Sequence, residues 1–221
     1  MTKVLAAGML ALAATASRQA AQPPPGITRT AILDNATAII ARLQMEPGSR
    51  ETIHTHPFSA VVIQLSAGTI DMTIGKVRAR QQRDPGFVWF IGKDAPHAAI
   101  NAGPEAVQFV TIGIKPDRPP AAAARPTQPP AGIARETILD NEEARVVRVR
   151  FAPGGREPLH THPNDLVIVQ LTPGRIEIVE GPTRSDDDRA PGLVRFLPRG
   201  VLHAYASTDT RPIEMLSVAI K

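Results

Sequence analysis

The sequence predicts an all-β protein built from two tandem copies of one small barrel or sandwich. A self-match at a constant shift of 106 positions carries most of this: Gly26-Ile27 recurs as Gly132-Ile133, Leu33-Asp34-Asn35 as Leu139-Asp140-Asn141, and Ile114-Lys115 as Ile220-Lys221. No insertion or deletion separates the copies, and a repeat of this length is a duplicated unit rather than a solenoid element. Within each copy the apolar residues come in short Val- and Ile-rich runs, closed by Pro-Gly or Ala-Gly turns at intervals of about ten residues. Nothing sustains helical spacing for long.

The 221 residues suit two small modules, each large enough for its own core. Residues 1–21 differ in kind from the rest. Lys3 is followed by an apolar run over residues 4–16, too short to span a bilayer, and then by small residues. This is the layout of a signal peptide, which implies a periplasmic or secreted protein with no membrane span in the mature chain. Its removal would take away Lys3 and Arg18 and leave 23 basic against 21 acidic side chains, interspersed and without a stripe. That balance gives no electrostatic case for nucleic acid.

Residues 22–115 form the first module and residues 128–221 the second. Between them, residues 116–127 are rich in Pro and Ala and favour an extended linker. In the first module the runs over residues 38–45, 52–56, 60–66, 69–74, 86–91, 98–100 and 106–114 read as strands, and the second repeats them. So many short strands in so few residues imply a sandwich or a barrel.

There is no cysteine, so any metal must be held by nitrogen and oxygen. All six histidines fall into the repeat: His54, His56 and His97 recur as His160, His162 and His203. Residues two apart on a strand share a face, so each His-x-His presents two imidazoles together. The third histidine lies the same 41 positions further on in both copies. Three imidazoles suit Fe, Zn, Cu or Ni far better than Mg or Ca, and leave positions open for other ligands. The bland reading, histidines lining a barrel or satisfying core hydrogen bonds, has to explain three matched positions twice over with no histidine elsewhere.

These motifs resemble the cupin superfamily, in particular bicupins, which carry two cupin barrels in one chain. The first cupin motif is a Gly, five residues, His-x-His, four residues, Glu, six residues and Gly. The chain reads Gly48, His54, His56, Val61, Gly68 and again Gly154, His160, His162, Val167, Gly174. For the second motif the second copy offers Gly192, Pro198-Arg199-Gly200, His203 and Ser207; the first is looser, with Gly86, Gly92, His97 and Asn101. The resemblance implies two tandem double-stranded β-helix, or jelly-roll, barrels and six histidine metal ligands. It further implies a divalent transition metal, Fe(II) first, with Mn, Zn, Ni or Cu as alternatives. The motif glutamate is replaced by Val61 and Val167, and Asp165 could stand in only if the strand register shifted.

Other candidates follow from strand alternation. Arg50 and Arg156, four residues before the first histidine of each copy, fall on the histidine face if the chain is extended. There they would clamp a substrate carboxylate or sit at the rim. By the same parity Tyr205 and Ser207 approach the second site where the first has Ala99 and Asn101. Tyr205 is then a proton donor, a substrate anchor, or an ordinary barrel-mouth tyrosine. Val88, Phe90, Val194 and Phe196 read as core. Trp89, matched by Arg195, reads as a surface or interface position. Gln64 and Gln170 are candidates for hydrogen bonds between modules, and Asp186-Asp187-Asp188 reads as a solvated acidic loop.

The leading expectation is an exported metal-dependent dioxygenase or related oxidoreductase acting on a small organic substrate, with anionic ones among the candidates. The reaction class comes from resemblance alone, because a fold does not choose a chemistry. The alternative is a non-catalytic bicupin that binds or senses a small ligand. A third reading makes one module active, the C-terminal one if Tyr205 and Asn164 matter. A monomer is the simplest assembly by resemblance, with a homo-oligomer also open.

Overall fold

The computed structural model describes residues 24–117, 119, 121–123 and 130–221; the expected signal peptide lies outside these residues. Among them are sixteen strands and no helix, so none is long and apolar enough to cross a membrane. The N-terminal half holds β1 (Ile27–Asp34), β2 (Ala38–Met45), β3 (Ser59–Gln64), β4 (Gly68–Ile74), β5 (Val77–Arg83), β6 (Val88–Ile91), β7 (His97–Asn101) and β8 (Val107–Ile114). The C-terminal half holds β9 (Ala131–Asp140), β10 (Ala144–His160), β11 (Asp165–Gln170), β12 (Gly174–Glu180), β13 (Thr183–Arg189), β14 (Val194–Leu197), β15 (His203–Ser207) and β16 (Ile213–Ile220).

Both halves follow one jelly-roll path. In the first, β1-β2-β8-β3-β6 form one sheet and β5-β4-β7 the other. In the second the equivalent sheets are joined because β10 is long enough to serve both. It pairs with β16 over Ala144 to Phe151, then bends and pairs with β15 from Arg156 to His160. The N-terminal counterpart of that bend is a loop carrying two isolated bridges, Arg50 with Ile100 and His54 with His97. The strand expected over residues 52–56 is therefore reduced to a single bridge. Two strands had no apolar signal, β1 and β5. Both are edge strands with largely exposed, polar side chains, which suits an edge that must not recruit another chain. The Pro-Gly turns behave as read: Asp84-Pro85-Gly86 and Ala190-Pro191-Gly192 each close an i to i+3 hydrogen bond, with Gly86 at φ 86° and Gly192 at φ 81°.

The two halves pack face to face through one shared core. Ala38, Ile40, Val61, Ile63, Val110, Ile112 and Ile114 meet their repeat counterparts Ala144, Val146, Val167, Val169, Leu216, Val218 and Ile220, all buried. Val88, Phe90, Val194 and Phe196 pack against this core. Polar contacts around it repeat with the same pseudo-symmetry. Arg42 donates to the Gly192 carbonyl at 2.5 Å and Arg148 to the Gly86 carbonyl at 3.2 Å. Each half also keeps an internal core, around Leu43, Met72 and Phe109 in the first and Phe151, Ile176 and Ile213 in the second.

Four expectations are corrected here. Gln64 and Gln170 do not bridge the halves: their amides donate to Ser66 and Thr172 carbonyls nearby in their own half. Trp89 is not a surface residue; it faces the interior of its half, 4.5 Å from the Phe87 ring and 6.1 Å from that of Phe109, centre to centre. Asp186-Asp187-Asp188 lie within β13 rather than a loop, and Asp187 and Asp188 pair with Arg195 and Arg175. Part of the expected linker is docked, since Ala122 donates its N–H to the Pro163 carbonyl at 2.7 Å.

Candidate metal centres

Each half gathers its three histidines at one end of its barrel. Backbone bonds between His54 and His97 in both directions, 3.0 Å each, clamp the loop that carries His54 and His56 onto the start of β7. Ring centres lie 4.2 Å apart for His54 and His97, 4.9 Å for His54 and His56, and 5.0 Å for His56 and His97. The second triad is a close copy, at 4.2 Å for His160 and His203, 4.6 Å for His160 and His162, and 5.0 Å for His162 and His203. In each triad one ring nitrogen from every histidine lies within 4.8 Å of the others.

The tautomers are set by the backbone. His54, His97, His160 and His203 each direct Nδ1 at a carbonyl two residues upstream, at 2.8 to 3.1 Å. A carbonyl only accepts, so Nδ1 carries the proton and Nε2 is left as a lone pair aimed at the other rings. His203 Nε2 is buried with no hydrogen-bond partner, an orphan acceptor that a cation would satisfy. Burial, with help from the neighbouring imidazoles, pushes His56 down to about 4, His162 to about 3 and His203 to about 4, and lowers His97 as well. These rings are neutral at pH 7, the state a metal requires. The donor set therefore fits a divalent transition ion in both halves.

The carboxylate question resolves differently from the motif reading. Val61 and Val167 point away from the histidines into the shared core, so the residues of β3 and β11 that face the cavities are Ala60, Val62, Leu166 and Ile168. None is acidic. Asp165 is no substitute: it is buried at the seam between the halves, held by Thr37 and Arg199.

The acidic residue that does reach each site is Glu51 or Glu157, and sequence parity missed it. Arg50 and Arg156, expected on the histidine face, are exposed and line neither cavity. A bulge between Glu157 and His160 shifts the β10–β15 register, so the residue three before the histidine faces inward instead of the one four before. Glu157 Oε1 lies 3.5 Å from His160 Nε2 and is paired with Arg135. In the first half Glu51 and Arg29 line the cavity in the same positions. Both pairs recur at the 106 shift, so the self-match could have found them.

The two cavities differ greatly in size. That of the C-terminal half is about 610 Å³ and is walled by the triad with Arg135, Glu157, Phe151, Ile168, Tyr205 and Met215. That of the N-terminal half is about 50 Å³. Phe58 fills it: its ring stacks on His56 at 5.9 Å and lies against Gly113 so closely that a Cβ there would sit 2.4 Å from Phe58 Cε2. The C-terminal counterparts are Asn164 and Ala219. Tyr205 lies in the cavity wall as parity implied, its ring centre 5.3 Å from that of His203. Asn101 does not: its amide ties Met45 and Glu105 carbonyls together at 2.9 and 2.7 Å.

Comparison with known proteins agrees with this geometry. No family model matches the sequence. The β-alanine degradation protein BauB of Pseudomonas aeruginosa is 34% identical over 86 residues, which span 38% of this chain and 87% of that protein. Among solved structures, a cupin 2 conserved barrel domain protein from Leptotrichia buccalis superposes with a TM-score of 0.62 at 13% identity, covering 90% of this chain and 91% of that one. Salicylate 1,2-dioxygenase from Pseudaminobacter salicylatoxidans superposes with a TM-score of 0.69 at 11% identity, covering 87% and 76%. The chain has the cupin fold and belongs to the same family as BauB.

Proposed function

We propose that this protein is an exported metal-dependent oxidoreductase of dioxygenase type, acting on a small organic substrate in the C-terminal half. The observation that carries this reading is the asymmetry of two near-identical triads: one faces a cavity of about 610 Å³, the other about 50 Å³. A cavity of several hundred Å³ with a few convergent polar groups is what a small-molecule site requires. The likeness to a dioxygenase supports the reaction class as an analogy of fold.

His160, His162 and His203 would hold the ion, Fe(II) first, with Mn, Zn, Ni or Cu as alternatives. When bound, it supplies Lewis acidity and open coordination positions. The chain supplies the rest. Backbone carbonyls hold the imidazoles in the ligating tautomer, and Phe151, Ile168 and Met215 make the wall apolar and limit water. Glu157, beside His160 and paired with Arg135, can accept and return a proton, while Arg145 and Lys221, which share the one acid Asp140, leave the cavity wall a small positive excess suited to an anionic substrate. His54, His56 and His97 would hold a second ion that no substrate reaches. The layout of residues 1–21 supports export. The mutual burial of the two apolar faces within one chain supports a monomer.

The test is metal content and oxygen uptake on tag-free protein reconstituted anaerobically with Fe(II). The expected result is close to two ions per chain, with uptake driven by small organic acids lost in His203→Ala and retained in His97→Ala. No bound ion with any of the five metals would end the enzyme reading and leave a ligand-binding barrel.

A further inference from the structure

Around Tyr205, which lines the C-terminal cavity while Arg189 and Ser207 do not, four hydrogen-bonding atoms are buried without a partner: Arg189 Nε and Nη2, Tyr205 Oη and Ser207 Oγ. The three residues are only 3%, 3% and 4% exposed. Tyr205 and Ser207 lie two apart on β15 and share its inner face, and the Arg189 guanidinium carbon is 5.4 Å from the centre of the Tyr205 ring. The phenol is close enough to interact with the guanidinium and favour its charge, but the contact lacks hydrogen-bond geometry and leaves both groups with unused hydrogen-bonding capacity.

The charge is also uncompensated. Two acids lie close by, but Arg195 takes both, Glu180 at 2.7 Å and Asp187 at 3.4 Å. Arg189 joins no ion pair among the described residues. A buried cation left in that state is among the most costly arrangements a fold can hold, so a partner of opposite charge is called for.

The unpaired atoms identify that partner. Nε and Nη2 form the side-on edge of the guanidinium, which offers two parallel N–H donors to the two oxygens of a carboxylate. The same edge grips a carboxylate elsewhere among the described residues: Arg78 on Asp71 at 2.9 and 2.5 Å, Arg175 on Asp188 at 3.0 and 3.2 Å, Arg199 on Asp165 at 3.0 and 2.5 Å, and Arg195 on Glu180 at 3.1 and 2.7 Å. The N-terminal half lacks the arrangement. There the counterpart Arg83 lies over the Phe87 ring at 4.1 Å, and Ala99 and Trp89 replace Tyr205 and Arg195.

We propose that Arg189, Tyr205 and Ser207 form a buried carboxylate subsite in the C-terminal half, which takes the acid group of a small organic carboxylate. The guanidinium edge would donate to both oxygens and the two hydroxyls would donate to their remaining lone pairs. Because the Tyr205 ring also walls the large cavity beside His203, an acid anchored there would extend its other end towards the triad. The subsite does not depend on a bound metal and stands apart from the proposed reaction.

Tyr205 is the only tyrosine in the chain, which gives the test an unambiguous reporter. The full chain, carrying ring-13C tyrosine and freed of metal with a chelator, would be titrated with acetate and benzoate at fixed ionic strength. Acetamide, benzamide and chloride serve as controls. The expected result is a saturable shift of the tyrosine resonance with a carboxylate and none with the amides or chloride. Binding should weaken about tenfold or more in Arg189→Gln, as expected for a lost charge-assisted pair. A several-fold weakening in Ser207→Ala, and a rise of the wild-type thermal midpoint with acetate, keep the proposal testable if Arg189→Gln folds poorly. No saturable shift, equal affinity in Arg189→Gln, or an equal response to chloride or the amides would overturn it. So would a response that appears only after metal is restored, which would put the carboxylate on the ion.

Discussion

The hydroxyl of Thr37 donates a 2.6 Å hydrogen bond to Asp165, 128 positions away in the opposite half, and the pseudo-symmetric contact exchanges the roles: Ser59 donates to Glu143 at 2.8 Å. Thr37 corresponds to Glu143, and Ser59 to Asp165, at the 106 shift. Each seam end therefore has one hydroxyl, from the N-terminal half, and one carboxylate, from the C-terminal half, at exchanged repeat positions. Such a swap preserves the hydrogen bond while placing only one acid at each end of the shared core.

Asp165 is the more constrained acid. Burial raises its carboxyl, but donors from Arg199 and Thr37 outweigh that and hold it below the usual range. Asp165→Ala should cost about 3 kcal/mol, because it removes the carboxylate that faces the largely buried Arg199 guanidinium, whereas Thr37→Val should cost about 1 kcal/mol. Urea denaturation of both variants checks the ranking. Equal midpoints would mean that the seam is held by its apolar core alone.

Phe58 should act as a plug that can be drawn. Phe58→Ala is expected to enlarge the N-terminal cavity towards the C-terminal one and to cost about 2 kcal/mol, less than a fully buried phenylalanine would. Calorimetric titration with a small ligand held by the triad end of the C-terminal cavity, which both halves share, should then rise from one site per chain to two. In the reverse direction, Asn164→Phe with Ala219→Gly should abolish binding while leaving both triads able to take metal. A stoichiometry of one in Phe58→Ala would show that the N-terminal triad is closed by more than this ring.

Much of this was legible in the sequence because the duplication doubles each signal. The gathering of the six histidines into two triads, the β2 boundaries at Ala38 and Met45, and the Pro-Gly turns were all legible. Alternation failed where the backbone departs from a regular strand. The bulge before His160 turned Glu157 inward and Arg156 outward, and Pro158 inside it is the sign in the sequence that alternation breaks there. Alternation also says which residues share a face but not what covers it. That is why Val61 could be read as a site position when it lies in the shared core, and Trp89 as surface when it lies inside. The closing of one cavity depends on Phe58 meeting Gly113, two residues distant in sequence whose contact only the fold creates.

Metal-free protein should lose stability as the pH falls. His56 and His203 fold with values of about 4 and His162 of about 3, against 6.5 for the free ring. Between these values the unfolded chain binds more protons than the folded one, so stability rises with pH across the window. The contribution is complete above about pH 6.5 and is lost progressively down to pH 4, and to pH 3 for His162. Urea midpoints of chelated protein at pH 7, 5 and 4 should fall in that order. The slope should flatten in His162→Ala, and a slope unchanged by that substitution would assign it to carboxylates instead.

Glu157 should tune the C-terminal centre without holding its fold. Its carboxylate lies 3.5 Å from His160 Nε2 and draws on Arg135, so it supplies negative charge beside a ligand set that is otherwise neutral. A divalent ion placed among three imidazoles gains from that charge whether or not the carboxylate touches it. Glu157→Gln keeps the shape and removes the charge, and should weaken metal affinity at this site by about tenfold, within the range seen when groups behind a ligand are altered. Chelator competition on His97→Ala protein, which leaves only the C-terminal triad complete, isolates the effect. Arg156→Gln is the matched control, since its side chain is exposed and lines no cavity. Should Arg156→Gln weaken the metal as much as Glu157→Gln, the loss would reflect the net charge of the strand, and the inward turn of Glu157 would have no part in binding.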